Sequence, residues 1–114
     1  MRDLARMFDE DGATFTPYVL QDGTPAGETA LLRQRNTENE SLYVGIYRCA
    51  EPVDGVQDYV HNDSMYILAG EARIQVSDGT ELHLKPGDMA TFAKGQRITF
   101  QQGAGFKKFF VMSE

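Results

Sequence analysis

Gln57, Tyr59, His61 and Asp63 stand at every second position of one short stretch. Alternation on an extended strand sends such residues to one face, so the stretch would gather an amide, a phenol, an imidazole and a carboxylate. An imidazole beside a carboxylate can act as acid and base on a small polar substrate, or hold a divalent ion. The plainer reading of His61 is a hydrogen bond at the start of a strand, because Asn62 and Asp63 follow it. Asn62 can also turn the chain and break the parity. Gln57 and Tyr59 either line a pocket or fill a narrowing core with satisfied polar tips.

Other reactive residues are sparse. Cys49 is the only cysteine, so no internal disulfide forms. Nothing near it supplies a base or a helix end, and it reads as a small buried hydrophobe. His83 sits between Leu82 and Leu84 and is expected to face solvent or the outside of a sheet. Lys107-Lys108 reads as a solvated strand edge that discourages pairing. No Ser-His-Asp, Cys-His or phosphate-loop arrangement can be assembled.

The 114 residues suffice for one domain, and 41% hydrophobic with 25% charged residues is ordinary for a globular chain. A formal charge of -6 argues against nucleic acid, whose binders need a concentrated positive footprint. No apolar run reaches the length of a membrane span. Met1 to Arg6 lacks the apolar centre of a secretory signal, so the cytoplasm is the expected compartment.

The elements that must position these residues are strands. Ser41 to Cys49 is rich in aromatic and β-branched residues. Val56 to Val60, Ser64 to Ala69, Arg73 to Val76, Glu81 to Leu84, Met89 to Phe92, Arg97 to Phe100 and Phe106 to Met112 follow, separated by Gly70, Asp78-Gly79, Pro86-Gly87-Asp88 and Lys94-Gly95. Thr14 to Leu20 reads as a further strand and Thr29 to Arg33 as a weak one. Gln21 to Gly27 reads as a loop, Pro52 to Gly55 as a turn, and residues 3 to 9 as a short helix. Nine or ten short strands with regular turns predict an all-β jelly roll with a short N-terminal helix or extension. Residues 1–40 form that extension with the first strands and residues 41–114 the core of one single domain.

Asn62-Asp63-Ser64-Met65-Tyr66-Ile67-Leu68-Ala69-Gly70, then Asp78-Gly79, then Leu84-Lys85-Pro86-Gly87-Asp88, and finally Gly95 together resemble the cupin superfamily. The nearest likeness is to small RmlC-like single-domain cupins related to the (S)-ureidoglycine aminohydrolase cupin domain. The resemblance implies a jelly-roll barrel and, in the metal-dependent members, histidines and an acidic residue around a transition ion. Placed on this chain, the carboxylate falls at Asp63, the first-motif histidines at Gln57 and Tyr59 or at Val56 and Asp58, and the second-motif histidine at Ile98. The imidazoles are lost. His61 with Asp63 leaves only a weakly held divalent ion as an alternative, so neither metal nor other cofactor is expected. A lysine near Lys107-Lys108 recurs in the family, and one of the pair is the candidate to point inward at Asp63.

The expected function is small-molecule binding through Gln57, Tyr59, His61 and Asp63. The alternatives are an enzyme on a small polar nitrogen compound, aminohydrolase-like, or a structural module. A homodimer is expected, since pairing covers open sheet edges.

Overall fold

A computed structural model describes residues 7–36 and 41–114. Ten strands follow one another: β1 (Thr16–Val19), β2 (Pro25–Asn36), β3 (Ser41–Arg48), β4 (Val53–Asp58), β5 (Asn62–Ala69), β6 (Ala72–Val76), β7 (Glu81–Leu84), β8 (Met89–Phe92), β9 (Arg97–Gln102) and β10 (Lys107–Ser113). They build a six-stranded sheet in the order β1-β2-β3-β10-β5-β8 and a four-stranded sheet in the order β4-β9-β6-β7. The two sheets do not join by hydrogen bonds into a closed barrel, and the all-β jelly roll is a double-sheet sandwich.

Period-two patterning builds the core between the sheets. On β5, Asp63, Met65 and Ile67 are buried while Ser64, Tyr66 and Leu68 are exposed. Ala72, Ile74 and Val76 of β6 and Ile98 and Phe100 of β9 face them from the other layer. Phe106 and Ile67 are almost wholly enclosed. Each such side chain contributes about 1.5–3 kcal/mol of transfer free energy.

Three expectations are corrected. Among the described residues there is no helix: Met7–Asp9 are irregular and Glu10–Gly12 turn, while residues 3–6 of the expected helix lie outside the described residues. The segment is strapped down instead, because Glu10 accepts hydrogen bonds from Arg48 Nη1 (2.7 Å) and Lys107 Nζ (2.9 Å). Second, Pro25, Ala26 and Gly27 belong to β2, not to a loop. Proline is tolerated as the first residue of a strand, where no ladder bond from its nitrogen is needed. Third, β4 begins at Val53, so Asp54-Gly55 is strand and not turn. Gly55 serves packing there, since a Cβ would lie 2.7 Å from Leu20 Cδ1 and 3.0 Å from Phe100 Cζ.

Gly70, between β5 and β6, does what its position suggests. Its φ is +71°, and a Cβ would meet Phe106 Cα at 2.6 Å. The sheet bends where two backbones touch, and only glycine fits both demands.

Candidate functional site

The open end of the sandwich encloses a cavity of about 60 Å³ lined by both sheets. A single water needs roughly 10–15 Å³, so several waters or one small solute fit. The six-stranded sheet contributes Tyr18, Thr29, Tyr47, Asp63 and Lys108, and the four-stranded sheet contributes Gln57, Phe100 and Gln102.

Asp63 reaches the cavity because β5 alternates, and it is only 3% exposed. β10 lies beside β5, with Met112 opposite Asp63 and Lys108 opposite Ile67. The long Lys108 side chain runs along the sheet and brings Nζ to 4.0 Å from Asp63 Oδ2. Nζ also stands 5.4 Å from the centre of the Tyr47 ring, within cation–π range. Asp63 Oδ1 is buried and has no hydrogen-bond partner. A buried carboxylate oxygen without a donor is costly, and it belongs to a residue that lines the cavity.

Burial dominates the electrostatics. It pushes the Asp63 carboxyl above the usual carboxylate range, against the pull of Lys108 and the Tyr59 hydroxyl. Burial also lowers Lys108 from the usual ammonium value, against the Asp63 charge. Burial thus works against the charged form of each partner, while their mutual attraction works for it. The Tyr59 and Tyr18 hydroxyls are pushed up, first by burial and then by the Asp63 charge. Tyr47 is pushed up mainly by burial, and its hydroxyl donates to Ala26 O at 2.6 Å.

The four residues singled out in the sequence go to different places. Gln57 and Asp63 both line the cavity, but from opposite sheets, since the chain crosses between layers at residues 59–61. Tyr59 is in the core, its ring stacked on Phe92 at 5.4 Å and 6°. Its backbone is tied to the turn before β9, accepting from Gly95 N and donating to Gln96 O. His61 lies in the crossing, its ring 5.8 Å from that of Tyr43 and its buried Nδ1 without a partner. It is not among the cavity-lining residues.

The Lys107-Lys108 edge reading is corrected. β10 is interior, paired with β3 on one side and β5 on the other. The inward alternative applies to Lys108, while Lys107 bonds Glu10. The alternation of Phe106, Lys108, Phe110 and Met112 was the available signal, since three of these four positions are apolar. Tyr18, Tyr47 and Gln102 carried no comparable mark. His83 is exposed, with Nε2 2.6 Å from Glu71 Oε1. Cys49 is buried, and burial raises its thiol.

A small jelly roll with a partly polar cavity between its sheets defines this protein as a cupin. Residues 38–110 match the EutQ-like cupin domain, and the chain belongs to that family. A structure from Rhizobium leguminosarum, of unknown function, superposes with a TM-score of 0.68 at 18% identity, covering 95% of each chain. An RmlC-like cupin from Shewanella frigidimarina superposes with a TM-score of 0.65 at 15% identity over 99% of this chain and 94% of that one. A DUF861 family protein from Thermotoga maritima is 28% identical, with a TM-score of 0.53, over 57% of this chain and 73% of its own. No curated protein matches the chain.

Proposed function

We propose that the protein is a small-molecule-binding cupin whose ligand sits against Asp63 and Lys108. One observation carries this reading: a desolvated carboxylate–ammonium pair, with Asp63 Oδ1 unpartnered, faces a cavity instead of closing on itself. A ligand with a hydrogen-bond donor can pair with the Asp63 carboxyl, and the Gln57 amide offers both donor and acceptor, while Gln102 Oε1 is already 2.7 Å from the Tyr47 hydroxyl. Titration with small amides, amines and hydroxy compounds, followed by backbone amide shifts, tests it. The expected result is perturbation at Gln57, Gln102 and Lys108, diminished in Asp63→Asn. Perturbation confined to the outer sheet faces overturns it.

The same pair supports a second reading, acid–base catalysis on a small polar nitrogen compound of the kind the ureidoglycine aminohydrolase cupins handle. A buried carboxyl and a buried amine 4.0 Å apart, each with burial working against its charged form, are suited to exchanging a proton with a substrate. Ammonia release from ureido compounds distinguishes an enzyme from a binding protein.

A transition metal fits this cavity poorly. The positions that hold ligands in metal-dependent cupins carry Gln57, Tyr59 and Ile98, and Ile98 is buried among apolar side chains. Asp63 already faces an ammonium, which would repel a cation. Among the described residues no group of three or more His, Cys, Asp or Glu side chains is placed to hold an ion.

The reading extends to a homodimer. On the outside of the six-stranded sheet, Tyr66, Leu68 and Met89 are exposed beside Ser64, Thr91, Phe109 and Val111. No charged residue is among these, so two copies of an acidic chain can meet there without repulsion. No helix among the described residues is long and apolar enough to cross a membrane. A lone free thiol suits the reducing cytoplasm.

A further inference from the structure

We propose that Lys108 is a nucleophile that forms an imine with a small uncharged aldehyde or ketone carrying a hydroxyl group, with Asp63 moving the protons. The proposal rests on the binding reading of the same cavity and names the class of compound that enters it.

Four features of the site support this chemistry. Lys108 lines the cavity, and its side chain is 15% exposed. Among the described residues, its charged partner is the Asp63 carboxylate at 4.0 Å, too far for a direct hydrogen bond. A carbonyl oxygen, or the hydroxyl it becomes, can stand between the two groups. Burial pushes amine and acid toward the neutral forms that imine formation requires. Tyr18, Gln57 and Gln102 supply polar contacts for a hydroxyl group. An anionic oxo-acid would meet the Asp63 carboxylate that is left when the iminium forms, so an uncharged carbonyl compound fits better.

The steps balance. The neutral Lys108 amine attacks the carbonyl carbon and a C–N bond forms. The carbonyl π pair moves to oxygen, which takes the proton of the Asp63 carboxyl. The new ammonium returns a proton to the Asp63 carboxylate, leaving a carbinolamine beside a neutral acid. Asp63 then protonates the hydroxyl, the C–O bond breaks, and water leaves as the nitrogen lone pair forms C=N. One water is released, and a cationic iminium stays paired with the Asp63 carboxylate. No oxidant, reductant or metal takes part.

The chain has four lysines, Lys85, Lys94, Lys107 and Lys108, which provide an internal control. The folded protein is incubated with glycolaldehyde at neutral pH, treated with cyanoborohydride and mapped by peptide mass. Each unit by which an amine is lowered gives about tenfold more free base. Reduced hydroxyethyl adduct on Lys108 should therefore exceed that on exposed Lys85 or Lys94. Modification equal to or below that of Lys85 and Lys94 overturns the proposal. Lys108→Arg keeps a cation for Asp63 and removes the nucleophile, so it should stay folded and lose only this adduct. Asp63→Asn should slow trapping at short times, and unchanged or faster trapping overturns the proton role. Pyruvate in place of glycolaldehyde should leave Lys108 unmodified. If glycolaldehyde perturbs the amides of Gln57 and Gln102 without an adduct on Lys108, the imine is refuted and the binding reading stands. If neither glycolaldehyde nor the amide and amine panel perturbs those amides, the binding reading fails as well.

Discussion

Lys108→Met isolates the ion pair at the centre of the cavity. Methionine keeps most of the length and removes the charge, which leaves Asp63, 3% exposed, without its cation. Asp63 then has two routes. It can stay ionised and unpaired, which costs about 3–5 kcal/mol. It can instead take a proton, which costs about 1.4 kcal/mol for each pH unit above an unfolded value near 3.9. The second route limits the loss to about 4 kcal/mol at pH 7 and about 1.5 kcal/mol at pH 5. With 114 residues at ~2.1 cal/mol/K each, the unfolding entropy is about 0.24 kcal/mol/K, so 1 kcal/mol moves Tm by ~4 °C. Calorimetry or thermal circular dichroism should show Tm lower than wild type by ~12–17 °C at pH 7 and by ~6 °C or less at pH 5. The sign follows from linkage. The folded value of Asp63 lies above its unfolded value, so its contribution is fully present below the unfolded value and lost as pH rises through the folded one. Lys108 runs the other way, its folded value being lowered. Its contribution is present above the unfolded value and lost as pH falls through the folded one, and the variant is free of that loss. Both effects narrow the gap at low pH. A deficit of the same size at pH 5 and pH 7, or a larger one at pH 5, would refute the ion pair.

Replacing both charges, Asp63→Asn with Lys108→Met, should restore Tm to within about 4 °C of wild type while binding in the cavity is lost, since removing both buried partners is far milder than removing one; equal deficits in the single and double variants would dissociate the two residues. Gly70→Ala should lower stability by more than about 2 kcal/mol, while Gly79→Ala, at φ +97° with no atom within 4 Å, should lose only about 1 kcal/mol; urea titrations with the reverse order would contradict the backbone contact at Phe106. Manganese or zinc at a few equivalents should leave Tm unchanged, and one tightly bound ion per chain by elemental analysis would require a different ligand set. Light scattering should report a dimer, and Met89→Glu should shift it toward monomer; a wild-type monomer at micromolar concentration removes the outer-face interface.

Much of the fold is written locally in this chain. Period-two patterns such as Met65, Ile67 and Tyr66, Leu68 state which face of a strand is apolar. The glycine turns state where the strand ends. Local geometry also misled where a residue answered to a distant neighbour. Gly55 looked like a turn because nothing nearby discloses that Leu20 and Phe100 need its missing side chain. The helix expected over residues 3 to 9 ignored Glu10, whose partners, Arg48 and Lys107, are remote in sequence.

The site divides in the same way. Asp63 and Gln57 were legible because they stand at alternate positions of one stretch and at the ligand positions that the cupin resemblance assigns. Their placement was not legible, since alternation holds only within a strand and the chain changes sheets at residues 59–61. Tyr59 therefore went to the core and His61 to the crossing. Lys108 illustrates the limit most sharply. Alternation alone could place it inward, but only the pairing of β10 between β3 and β5 puts its ammonium beside Asp63. Whether adjacent lysines lie at a solvated edge or in the middle of a sheet depends on strand order, a long-range property that no local run of residues encodes.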